Sequence, residues 1–189
     1  MIRIRPGWSG RFYEDFAAGD VYRCRYGWTI TQFDNISFSL LTSNSNQLHF
    51  NDDCARRTEW GRCLVNSLLT HAAVTGLSTA DVSENGFALG WGSIELPHPV
   101  FAGDTSCSES EVLDKRESKS RSGQGVVEIE TRGCNQDGVL VTRFRRAVMV
   151  SKKEHAPIAG LFPAHGQTEP EGIAQRGGGA AGDREEWRR

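Results

Sequence analysis

The chain has 189 residues, 38% hydrophobic and 24% charged, with a formal net charge of −2. That suits one domain of ordinary size plus an appendage, and the charge balance gives no ground for nucleic-acid binding or a basic membrane surface. No apolar run approaches the roughly 20 residues that cross a bilayer, and the N-terminal Met1-Ile2-Arg3-Ile4-Arg5 has no apolar core behind it, so a cytoplasmic location is expected.

Residues 1–10 read as an N-terminal extension and 11–151 as the body of the domain. Thr31-Gln32-Phe33-Asp34 matches a capping box with Asp in the last place. Phe33, Ile36, Phe38, Leu40 and Leu41 then supply the apolar residues of a helix expected to lie deep in a core and to end near Ser43. A short helical turn is expected over 53–57. A second helix is expected over 64–77, with Gly76 near its end.

The second half reads as β. Strands are expected over 87–95, 106–113, 125–131 and 139–150. The first stops at Leu96-Pro97-His98-Pro99, and Asp137-Gly138 signals a hairpin before the last. A short strand, helices and then three or four antiparallel strands define an α+β fold, with a long helix lying against a curved antiparallel sheet. From 152 the composition changes to glycine, scattered proline and charge (Gly177-Gly178-Gly179, then Asp183 to Arg189), which reads as a disordered tail over 152–189.

The five cysteines, Cys24, Cys54, Cys63, Cys107 and Cys134, are scattered and odd in number. They are expected to be free, with neither a metal site nor a cysteine nucleophile. The chemistry concentrates instead in Asn44-Ser45-Asn46-Gln47-Leu48-His49, where a histidine follows a helix-like run among side-chain amides. An imidazole both accepts and returns a proton near neutrality. His71 falls inside the second helix as a packed or partner-facing residue, and His98 shapes a turn at the mouth of the site. His155 and His165 lie in the tail and carry no role.

Three segments resemble the MaoC-like dehydratases, the (R)-specific enoyl-CoA hydratases of hot-dog fold. Residues 13–20, Tyr-Glu-Asp-Phe-Ala-Ala-Gly-Asp, are similar to that family's entry motif. Residues 41–55 are similar to its active-site signature, and Pro99-Val100-Phe101-Ala102-Gly103-Asp104-Thr105 to its "P-V-x-x-G-D-T". The resemblance implies a long helix wrapped by a curved sheet, with His49 as the catalytic histidine and Asn46 as the loop asparagine. Asn44 stands where that family has a catalytic aspartate, and Asn66-Ser67 where it has His-Gly. The backbone N–H at Ser67 would polarise the thioester, and an amide at Asn44 can orient water or imidazole but cannot take a proton.

Thr58 to Arg62, Leu64 to Ser67 and Lys115 to Arg121 resemble single-domain members linked to itaconyl-CoA and mesaconyl-CoA hydration, which also carry an amide at the acid position. The resemblance implies hydration of an enoyl-CoA, a homodimer or higher oligomer with the pocket at the interface, and no cofactor beyond the coenzyme A that the substrate brings. Asp34, Asp52, Asp53 and Glu59 are alternative proton carriers whose simpler roles are caps and solvated faces. Arg116, Lys119 and Arg121 form a candidate clamp for coenzyme A phosphates, with Arg143, Arg145 and Arg146 as competitors. A thioesterase and a non-catalytic acyl-CoA-binding subunit are the rival readings.

Overall fold

A computed structural model describes residues 7–156. Three short 3₁₀ turns (Tyr13–Asp15, Gln47–His49, Lys153–His155) punctuate nine regular elements. These are β1 (Val21–Arg23), β2 (Trp28–Thr29), α1 (Gln32–Leu41), α2 (Asp52–Arg56), α3 (Ser67–Val82), β3 (Gly86–Glu95), β4 (Thr105–Glu117), β5 (Gln124–Cys134) and β6 (Leu140–Ser151). The pairings are antiparallel, in the order β1-β4-β5-β6-β3, with β2 also on β4. Alternation along β4 puts Ser106, Ser108, Ser110 and Val112 inward, as a sheet covered on one face requires.

The long helix is α3. It begins three residues after the expected start and runs five beyond the expected end, because Asn66 rather than Leu64 caps it and Gly76 does not terminate it. Its inner face packs over the sheet closely enough that a Cβ on Gly133 would lie 2.5 Å from Val74. Tyr13, Phe16, Val82, Val112, Val127, Ile129, Val148 and Val150 form one core cluster. Ile30, Val65, Leu69, Ala73, Val100 and Val141 form the other, beneath the start of α3.

Two motif glycines fold as their backbone freedom allows. Gly19 (φ 90°) and Gly103 (φ 100°) sit where a side chain would be strained, and their N–H groups donate to Val112 O and Ile30 O at 2.8 Å. The Asp137-Gly138 turn closes the β5–β6 hairpin, with the Gly138 N–H bonded to Asn135 O at 3.0 Å.

α1 departs from expectation. Its capping box forms, with the Asp34 carboxylate on the Thr31 N–H at 2.8 Å and the Asp34 N–H on Thr31 Oγ1 at 3.2 Å. Its buried residues, however, are Asn35 and Ser39, whereas Phe33, Leu40 and Leu41 are 76%, 64% and 85% exposed. The helix turns a polar stripe inward because it lies on the turn at His49 and the cap of α3, whose backbone groups need partners.

The ordered body also reaches past its expected ends. Trp8 Nε1 donates to Ala80 O at 3.0 Å, so part of the N-terminal extension docks on α3. Lys152 and Lys153 pair with Glu117 and Asp15 at 2.5 Å, and the His155 ring packs over Gly123. The remainder of the expected tail, His165 included, lies outside the described residues. No described helix is long and apolar enough to cross a membrane.

Candidate active site

The loop after α1 is built from side-chain amides. Ser43 adopts a left-handed conformation (φ 55°) and turns the chain out of the helix. Asn44 N–H then bonds Ser39 O at 2.8 Å, and Asn44 Oδ1 accepts the Asn46 N–H at 3.0 Å. Asn46 Oδ1 accepts the Leu48 N–H at 3.1 Å, which starts the 3₁₀ turn carrying His49. The carbonyl oxygens of both amides thus each hold a backbone N–H of the turn, and their NH₂ groups remain as donors.

His49 is 7% exposed, with Nδ1 2.9 Å from Leu64 O. A carbonyl can only accept, so Nδ1 carries a proton, and in the neutral ring Nε2 is the nitrogen with the free lone pair. Asn35 and Gln32 on α1 donate to the backbone oxygen of His49 at 2.8 and 2.9 Å. Neither amide was singled out from the sequence; a polar i, i+4 pair, Asn35 and Ser39, inside an apolar helix was the available signal.

Asn66, which stands at the family's His-Gly position, is the cap of α3. Only 1% of it is exposed, Oδ1 accepts the Leu68 N–H at 3.0 Å and Nδ2 donates to Ser39 Oγ at 3.3 Å. Ser67, the first residue of α3, is exposed. It lines an open cavity of about 220 Å³ with Trp60, Leu64, Thr70, Pro97 and His98. His98 is held by Leu140 O at 2.8 Å from its Nδ1, consistent with a residue shaping the turn there.

Three of the four candidate carboxylates near the loop are engaged elsewhere. Asp34 caps α1, Asp52 accepts from the Cys63 thiol at 3.3 Å and Asp53 pairs with Arg57 at 2.6 Å. Glu59 lies exposed.

The basic candidates do not join His49. Lys115 is tied to the carbonyls of Tyr13 and Phe16 at 3.3 and 2.6 Å. Arg116 lies on β4 and is exposed; Lys119 and Arg121 occupy the β4–β5 turn, with the Arg121 guanidinium over Phe87. That turn lies by the C-terminal end of α3, and a helix of 16 residues spans about 24 Å. Arg143 and Arg145 pair with Glu95 and Glu130 at 2.6 and 3.0 Å. Arg146 is buried with its guanidinium on Ser78 Oγ at 2.6 Å, and burial pushes its pKa down to about 10. His71 packs edge-on against Phe144, and burial followed by the Arg146 charge lowers its pKa.

Three of the cysteines that look scattered in sequence come together. Cys107 lies opposite Cys134 across β4 and β5, and Cys24 Sγ takes the Ser108 N–H at 3.1 Å. Burial raises the pKa of Cys107 and of Cys134, with Cys24 contributing at Cys107.

The fold is the hot-dog of MaoC-like dehydratases. It superposes on a solved MaoC domain dehydratase from Chloroflexus aurantiacus with a TM-score of 0.75 and 29% identity, over 79% of this chain and 43% of that one. A Mycobacterium tuberculosis protein described as having a double hot-dog fold contains a similar fold, with a TM-score of 0.69 and 21% identity over 76% of this chain and 45% of that one. Residues 3–176 match the family model for mesaconyl-CoA hydratase, and the chain belongs to that family. The mesaconyl-CoA hydratase of Cereibacter sphaeroides is 33% identical over 164 residues, which cover 86% of this chain and 46% of that protein. The chain thus spans about half the length of the curated relatives it matches.

Proposed function

We propose that the protein is a hydro-lyase that adds water reversibly across the double bond of a short α,β-unsaturated acyl-CoA, branched or C5 dicarboxylic, such as mesaconyl-CoA or itaconyl-CoA. The observation that carries the reading is His49, a nearly buried imidazole whose Nδ1–H is bonded to a carbonyl, so that Nε2 is left as the base. Family membership and the 33% identity to a mesaconyl-CoA hydratase support the substrate class.

In this reading His49 Nε2 takes a proton from water as the oxygen attacks the β-carbon. The electron pair of the double bond moves toward the thioester, and the N–H of Ser67 at the start of α3 stabilises the enolate oxygen. The imidazolium then returns its proton to the α-carbon, so one water is added and the base is regenerated. Asn44 contributes its NH₂ as a donor to the water, and Asn46 holds the turn. No cofactor takes part beyond the coenzyme A of the substrate.

The active form is assigned as a homodimer or higher oligomer. The open edge of the sheet at β3 supports this, because Phe87, Leu89, Trp91 and Ile94 are each 44–49% exposed there. An apolar edge strand of that length needs a cover.

The test is incubation with crotonyl-, mesaconyl- and itaconyl-CoA, following enoyl absorbance and free thiol separately. Loss of absorbance without thiol release is expected, and His49→Ala should slow it about 10²- to 10⁴-fold, the usual contribution of a general base. Thiol release would establish a thioesterase, neither signal a binding subunit, and full activity of His49→Ala would sink the site assignment.

A further inference from the structure

We propose that Asn35 is a positioning residue that locks the base and the enolate donor of this site to one another; the inference rests on the hydratase reading above. Asn35 sits in the first turn of α1 with 0% of its surface exposed. Its Nδ2 donates to the backbone oxygen of His49 at 2.8 Å and to Leu64 O at 3.1 Å. Leu64 O is the same atom that holds His49 Nδ1, at 2.9 Å. The other side of the amide, Oδ1, accepts the N–H of Asn66 at 2.8 Å, and Asn66 is the cap from which Ser67 and α3 begin. One planar group therefore fixes the turn that carries the imidazole, the carbonyl that sets its tautomer, and the helix start that offers the donor.

The chemistry of the three contacts selects the residue. Two donor hydrogens on one nitrogen must reach two carbonyls, with Gln32 Oε1 a longer third acceptor at 3.4 Å, while an oxygen on the same plane accepts an amide hydrogen. An apolar side chain would bury the Asn66 N–H without a partner, an ionised Asp would set a carboxylate against two carbonyl oxygens, and Gln is one methylene too long for a closed site. Ser39, one turn on, braces the same junction by accepting from Asn66 Nδ2 at 3.3 Å. With the nearby carboxylates Asp34, Asp52 and Asp53 engaged elsewhere, the orientation of His49 is carried by neutral amides and carbonyls. Displacing a base by about 1 Å from its reacting proton can cost on the order of 10²-fold in rate.

Asn35→Ala and Asn35→Asp test this, with kcat and KM measured on whichever acyl-CoA the wild type hydrates and corrected for folded fraction by near-UV circular dichroism. Asn35→Ala should lower kcat about 10- to 100-fold with KM changed less than about twofold. Asn35→Asp keeps the acceptor for Asn66, so it carries the test if the alanine variant does not fold. When protonated, its carboxyl donates to one carbonyl, and when ionised it cannot; its kcat relative to wild type should rise as the pH falls. Unchanged kcat per folded molecule, or a profile parallel to that of the wild type, would overturn the role. If the wild type hydrates no acyl-CoA, the hydratase reading fails, and Asn35 is still tested by ¹⁵N NMR of the His49 ring. There the Nδ1–H tautomer should dominate in the wild type and mix with Nε2–H in the variants, and an unchanged tautomer in both would overturn the proposal.

Discussion

Leu64 lends His49 nothing but a carbonyl oxygen, yet that oxygen decides which ring nitrogen can act as a base. The residues around the loop show the same economy, with backbone groups doing what charged side chains do elsewhere. Cys63 is the complementary case, a thiol held in its neutral form. Burial, with the hydrogen bond to Asp52 second, pushes its pKa up to about 11 from 9.0. Alkylation requires the thiolate, so at pH 8 Cys63 should react with iodoacetamide roughly 100-fold more slowly than an ordinary thiol. A raised pKa means that the folded state holds this proton more tightly. The stability it contributes is therefore complete below pH 9 and is lost as the pH rises through about 11. Asp52→Asn should accelerate labelling of Cys63, read by peptide mass spectrometry; an unchanged rate would show that the carboxylate has no part in the shift.

At the scale of elements, α1 is a helix set by its cap and oriented by its polar stripe. Thr31 and Asp34 start it as the local sequence requires, and Ser43 ends it in a left-handed conformation that favours glycine. Ser43→Gly should relieve that strain and, after the added freedom of the unfolded chain, stabilise the protein by about 0.5–1 kcal/mol. Thermal unfolding would register this as an increase of about 1–4 °C, and a decrease would contradict the strain argument. The expected long helix and the four long strands were legible because α3 and β3 to β6 carry hydrophobic periods and turn residues that act locally. The orientation of α1 was not legible, because Phe33, Leu40 and Leu41 look like core residues until their environment is known.

For the whole molecule, the edge of the sheet at β3 and the outer face of α1 both leave large apolar side chains exposed among the described residues, as surfaces that associate do. If β3 meets a second copy, Leu89→Glu should convert the dimer to monomer in sedimentation velocity while leaving the fold intact, as judged by circular dichroism. A wild-type protein that sediments as a monomer at micromolar concentration would remove the basis for a pocket between copies. The position of Arg116, Lys119 and Arg121, one length of α3 away from His49, belongs to this scale too. Their proximity in sequence to the body's motifs says nothing about which end of the sheet they occupy.

By itself the sequence determined most of the elements and the α+β class, because caps, turns and hydrophobic periods are local properties, while the resemblance of its contiguous motifs to a known family implied the hot-dog fold and pointed to His49 as the candidate base. Only the tertiary structure decided that Asn66 is a buried cap, that Cys24, Cys107 and Cys134 are neighbours, and that Asn35 joins His49 to the start of α3. The reason is physical: an amide's role depends on which donors and acceptors surround it, and those come from residues 14 to 31 positions away that only folding brings within hydrogen-bonding distance.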